Sequence, residues 1–304
     1  MSVVFTFVSS ADIAQSFTAL KEQGEIRPAS AWRAGFQSWQ LDEKSESLAA
    51  ADPSIATDVE SLQIVVPHAA GELDPVTAAR KLAALQLQSR GRIALRIPAR
   101  GQVDSDRQPS HIAFWRRIDE YLTLLKRLWA NEKPIDHEGP FYSISGGFVP
   151  RKGARGFTMP IRMGGLSGTA LNVVGRHADI FELAVGSSDE ARLLSARVRA
   201  AAARHGRQGK VRFALPIFFG AENRDPDRIV LSKQPAQAAL QLLTFVDAGV
   251  SEFLVSGIET VADLDAFEHV ASFVQNSLSR REAAWAANAG VAAGRFDLVP
   301  ARNY

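Results

Sequence analysis

The sequence predicts a (β/α)8 TIM barrel as a single domain over residues 1–304, with one small hairpin inserted into it. Three observations carry that expectation. Short apolar runs of strand length alternate with amphipathic helical stretches about eight times along the chain. The length of 304 residues suits one such barrel, though it is long for an average domain. The composition, 46% hydrophobic and 22% charged, is that of a globular protein with a sizeable core. A doubly wound open sheet uses the same alternation but rarely runs through this many units.

The elements follow in order. Val3 to Val8 is an apolar strand, and Ala11 to Gln23 has helical spacing of Ile13, Phe17 and Leu20, closed by Gly24. Ala31 to Ser38 reads as a second strand, poor in aliphatics, and Leu41 to Ala51 as a helix cut short by Asp52-Pro53. Leu62 to Val66 is a clear strand with Pro67-His68 at its C-terminal end. Pro75 to Leu87 is a helix with Asp74 as N-cap and proline at the first helical position. Arg92 to Ile97 is the next strand. Ile112 to Trp129 is a long helix with Ile118, Leu122, Leu125 and Trp129 on one stripe. Ile135 to Val149, with Gly139-Pro140 and Gly146-Gly147 as turns, is the inserted hairpin. Strands at 161–163, 180–185, 211–219 and 251–255 then alternate with helices at 189–205, 235–248 and 263–278. Pro216 is an awkward residue for a central strand. Residues 283–304 form a tail rich in Ala and Gly.

Charge and composition limit the function classes. Lys plus Arg is 35 and Asp plus Glu is 33, a formal charge of +2, which gives no reason to expect nucleic acid or an anionic membrane as partner. Cysteine is absent, so there is no disulfide framework, thiolate metal site or cysteine nucleophile. No apolar run approaches the ~18 residues of a membrane span. The first residues lack a basic n-region. A cytoplasmic location is expected. His177 and Asp179 have no evident third ligand, so no metal site is expected.

The most chemical stretch is Met159 to Leu171. A short strand, the small-residue turn Gly164 to Gly168 and a helix make an anion site. Glycine lets backbone N–H groups approach an oxyanion, and the helix start adds unpaired donors and the positive end of its dipole. Ser167 and Thr169 add hydroxyls. The competing reading is an ordinary βα loop in which Ser167 is only a helix N-cap.

Several segments together resemble the bacterial luciferase-like flavin monooxygenase family, particularly its alkanesulfonate monooxygenase branch. They are Val76 to Arg80 through Ser89 to Arg92, Tyr121 to Trp129 with Glu138-Gly139 and Phe141-Tyr142, Ile161 to Ser167 with His177-Ala178-Asp179, and Ala248 to Gly257. The resemblance implies a barrel that binds FMN at the C-terminal ends of its strands. It implies reduced flavin supplied by a separate reductase, reaction with O2, a small organic substrate and a homodimer. The flavin phosphate would lie at Gly164, Gly165, Ser167, Gly168 and Thr169, helped by Arg100. His68 would lie near the flavin ring, where it could hydrogen-bond the ring or carry a proton. The plain alternatives are a solvated loop arginine and a histidine with no task.

The departures are specific. The branch carries an arginine and a histidine on its seventh strand, where this chain has Ala214-Leu-Pro-Ile-Phe-Phe219. Asn223 to Arg228 is only a short connection where the branch has a mobile lid. Phe213, Leu215, Phe218 and Phe219 are either a substrate wall or barrel filling. The expected function is therefore a monooxygenase using reduced FMN and O2 on a small, mostly apolar substrate. The alternatives are a flavin-binding or empty barrel that has lost catalysis, or a deazaflavin-dependent oxidoreductase.

Overall fold

The computed structural model describes residues 3–8, 28–41, 62–98, 111–152, 158–219 and 229–294. The helix expected over 11–23, that over 41–51 beyond its first residue, Arg100 and the connection 223–228 lie outside the described residues.

Eight parallel strands close into a barrel. In spatial order they are β1 (Val4–Val8), β2 (Ser38–Gln40), β3 (Gln63–Pro67), β4 (Ile93–Ile97), β7 (Ile161–Met163), β8 (Ile180–Glu182), β9 (Arg212–Phe218) and β11 (Glu252–Ser256), and β11 pairs back to β1. The helices are α1 (Pro28–Arg33), α2 (Pro75–Gln88), α3 (His111–Ala130), α4 (Gly168–His177), α5 (Ser188–Arg204), α6 (Pro235–Asp247) and α7 (Val261–Gly294). The inserted hairpin is present as β5 (Ile135–Glu138) and β6 (Ser143–Gly147), a separate antiparallel pair. A two-residue strand, β10 (Ile229–Val230), extends the sheet beside the end of β9.

Two expectations are corrected. Residues 31–38 are not one strand: α1 occupies the first part and only Ser38–Gln40 pairs in the barrel. Pro28 starts that helix, and the inward Ser38 and Gln40 hide the alternation that marks a strand. The last helix does not stop at Leu278, because α7 continues to Gly294 on a run of strong helix formers.

Side-chain alternation divides the barrel into two compartments. Outward residues of the strands meet the helices. Phe5, Phe7, Trp39 and Phe253 interlock with Phe36 and with Phe267 of α7, at ring-centroid separations of 4.4–6.0 Å. Phe213, Leu215 and Phe219 also belong to this outer core, so they fill rather than line. Inward residues make a smaller apolar group of Ile180, Ala214, Leu254 and Val8, and most of the remaining inward positions are polar.

Pro216 sits in β9 without loss. The even-numbered residues of β9 face β8 and β10: Ala214 O accepts from Leu183 N and Phe218 O from Leu231 N. Pro216 falls in the gap between those two contacts, where a missing N–H breaks no ladder bond.

The His177-Ala178-Asp179 segment is structural. Asp179 accepts from Ile161 N at 3.0 Å and from Arg207, whose guanidinium also caps the carbonyls of Gly175 and Ala178. His177 Nε2 lies 2.8 Å from Asp119 of α3. Burial raises the Asp119 carboxyl, but the His177 and Arg176 contacts outweigh it and hold it below the usual range. A Cβ on Gly175 would come within 2.6 Å of the Ala201 backbone, so α4 and α5 touch there. These contacts lock β7, α4 and β8 together and so fix the turn between β7 and α4.

Candidate active site at the barrel mouth

The C-terminal ends of the strands carry the turn that the sequence singles out. Gly164 to Ser167 leads from β7 into α4, and Ser167 is the N-cap, its hydroxyl accepting from Ala170 N at 3.1 Å. The first intrahelical bond is Leu171 N to Ser167 O at 2.9 Å, so the N–H groups of Gly168 and Thr169 precede it. The cap reading therefore holds, and it leaves the helix start available as a donor site.

The glycines have different tasks. Gly165 has φ +123°, and a Cβ there would come within 2.8 Å of both Ala170 and the Trp115 ring of α3. It is a packing glycine. A Cβ on Gly168 would meet nothing within 4 Å. Among the described residues, nothing occupies the space beside Gly168 at the helix start.

His68 follows β3 and is buried, 1% exposed. Its Nε2 lies 2.7 Å from the Tyr121 hydroxyl of α3, while Nδ1 is buried without a partner. Burial lowers the imidazole to about 4 and pushes the Tyr121 phenol up, so two neutral groups share one hydrogen bond. Gly71 of the same loop has φ +92° and lies against Arg117 and the Tyr142 hydroxyl, which hydrogen-bond each other at 3.1 Å. The His68 loop is thus clamped from outside the barrel.

A pH dependence follows. The unfolded chain binds the proton near pH 6.5 and the folded one only near 4, so His68 contributes stability that is present above 6.5 and lost as pH falls towards 4. The full loss is about 3–4 kcal/mol, ~2.5 pKa steps at ~1.4 kcal/mol each. Urea midpoints at pH 7 and pH 4.5 should fall further apart in the wild type than in His68→Asn. Equal acid losses in both proteins would contradict the assignment.

Sequence reasoning missed the inward charged residues. Arg96 of β4 and Arg162 of β7 are register partners on adjacent strands. Arg96 Nε lies 2.8 and 2.9 Å from the two Glu182 oxygens of β8, with the pair 17% and 10% exposed. Arg162 is fully buried and reaches across the interior to Glu252 of β11, Nη2 to Oε1 at 2.6 Å. Thr6 of β1 donates to the same oxygen. The contact is an ion pair by distance but not by hydrogen-bond angle, and no acceptor meets Arg162 Nε or Nη1. The signal was available: a charged residue alternates with aliphatic neighbours in Ala94-Leu-Arg96-Ile and Ile161-Arg-Met163.

The other side of the mouth is apolar. Phe218, inward at the end of β9, lies over Gly257, where an added Cβ would sit 2.5 Å from its ring. Gly257 has φ +84°, so both its backbone and the ring require glycine. Pro216 and Phe218 are the half-buried inward residues of β9. Of the four wall candidates, only Phe218 faces the interior. Among the described residues no group of His, Asp and Glu could hold a metal ion.

The luciferase-like monooxygenase family model matches residues 64–302. The sulfoquinovose monooxygenase of Agrobacterium fabrum is 30% identical over 145 residues, 45% of this chain and 35% of that protein. The chain therefore spans about a third of that relative's length. A riboflavin lyase structure with modified FMN and riboflavin superposes at TM-score 0.75 with 15% identity, covering 91% of this chain and 92% of that one. An F420-dependent secondary alcohol dehydrogenase with an F420–acetone adduct gives 0.74 and 14%, covering 90% and 99%. At these identities the structural likenesses speak for the fold, and the family match speaks for descent: the chain belongs to the luciferase-like monooxygenase family.

Proposed function

We propose that the protein is a flavin-dependent monooxygenase that uses reduced FMN and O2 to oxidise a small, mostly apolar substrate. The observation that carries this reading is the open helix start at Gly168 and Thr169 on the C-terminal rim. Their N–H groups would hold the flavin phosphate, with the dipole of α4 behind them. Ser167 accepts from Ala170 N with one lone pair and keeps its proton to donate. Gly164 and Gly165 shape the turn, and Arg100 would close the phosphate site from the β4 side. His68, held neutral by burial, would support the ring side of the pocket. Reduced FMN would supply the two electrons and the site of oxygen activation. The chain's own part is to bind, orient and exclude water, with Phe218 as the apolar wall.

The whole chain is read as one domain, acting as a homodimer in the cytoplasm beside a separate flavin reductase. Among the described residues no helix is long and apolar enough to cross a membrane. Within the family it is a divergent relative of the alkanesulfonate branch, lacking that branch's seventh-strand charges. A second reading, hydride transfer with the deazaflavin F420, has support from a neighbour of nearly the same structural likeness.

Fluorescence titration with oxidised FMN, with reduced FMN under anaerobic conditions, and with F420 separates the readings. Micromolar binding of reduced FMN is expected. Binding of F420 alone would move the assignment to hydride transfer. A folded protein that binds none of them would be a barrel without a flavin function.

A further inference from the structure

The barrel interior has a surplus of hydrogen-bond donors. A guanidinium offers five N–H donors and accepts nothing. Arg162 is wholly buried, yet Nε and Nη1 meet no acceptor and Nη2 has only the poorly angled Glu252 contact. A buried charge left in that state is costly. Arg96 stands beside it on β4, one strand over and in register, with Glu182 across its Nε. On β9 and β11, on the other side of the interior, the inward residues Leu254, Pro216 and Phe218 are apolar or aromatic.

We propose that Arg162, with Arg96 beside it, recognises a carboxylate on the substrate, which is then an apolar or aromatic carboxylic acid. The inference rests on the monooxygenase reading of the same mouth and adds the substrate class to it. A carboxylate is favoured over other oxyanions for two reasons. Both arginines already meet carboxylates, those of Glu182 and Glu252. Arg162 has no exposed surface, and a flat two-oxygen group matches the planar fork of a tightly packed guanidinium better than a tetrahedral head does. The ligand carboxylate takes the place of Glu252 or completes the donors that Glu252 leaves unmet. The apolar body then lies against Phe218.

Binding of octanoate, octanesulfonate and octanol, by calorimetry and by thermal shift, tests the assignment. The wild type should bind octanoate at least about ten-fold more tightly than octanol, as a charge-assisted bidentate contact implies. The paired replacement Arg162→Met with Glu252→Leu removes both charges and should abolish that preference. Glu252→Gln leaves the guanidinium without its counter-charge, so octanoate should raise its Tm by more than it raises that of the wild type. Octanesulfonate binding tighter than octanoate would overturn the carboxylate assignment. So would an unaltered preference in the paired variant, or equal Tm rises in Glu252→Gln and wild type. FMN titrations of the same proteins keep the two readings apart. A wild type that prefers octanoate but binds no flavin would remove the monooxygenase and leave the acid site standing.

Discussion

Glu252→Ala should lower folding stability by about 3–5 kcal/mol, because it leaves the Arg162 guanidinium buried with no counter-charge. Arg162 is 0% exposed, and Glu252 2%. The orphaned charge would then lie in the barrel interior, away from bulk water. Thr6 would lose its acceptor as well. Replacing both members by apolar residues of similar volume should be close to neutral, since the desolvation of two ions then disappears together with their attraction. Urea midpoints for Glu252→Ala, for Arg162→Met with Glu252→Leu, and for the wild type decide the matter. A single variant as stable as the wild type would mean that the pair carries no weight in the barrel core.

That pair also shows where the sequence could be read and where it could not. The helices α2 to α6 and the strands β3, β4, β7 and β11 announce themselves by period and by caps such as Asp74 and Ser167. β2 was misplaced, because Ser38 and Gln40 point into a polar interior and only Trp39 supplies an apolar outer face. The expectation of an aliphatic barrel strand failed for a physical reason: this interior is partly filled by ion pairs. The candidate site was half legible. Its strand–glycine–helix turn is a local pattern, so it could be found in the sequence. The Arg96–Glu182 and Arg162–Glu252 contacts join residues 86 and 90 positions apart, and only barrel closure brings them together. The separate roles of the two turn glycines were not legible. Gly165 and Gly168 look alike in sequence, but Trp115 stands against one and open space against the other.

Those two glycines give the sharpest test of the phosphate cradle. Gly165→Asp should cost roughly 2–5 kcal/mol, from a left-handed backbone and a Cβ driven into Ala170 and Trp115. Its loss of flavin binding would therefore say nothing about anion recognition. Gly168→Asp meets no neighbour among the described residues, and a carboxylate in the first turn of a helix suits the dipole. Its stability should stay within about 0.5 kcal/mol of the wild type. It nevertheless places a negative charge where the phosphate would lie. Two like charges ~4 Å apart repel by about 4 kcal/mol near a protein surface, so FMN affinity should fall by at least about a hundred-fold. Octanoate binding at Arg162 should not change in this variant. Wild-type FMN affinity in a folded Gly168→Asp protein would place the phosphate elsewhere on the rim and leave Ser167 with a helix cap as its whole task.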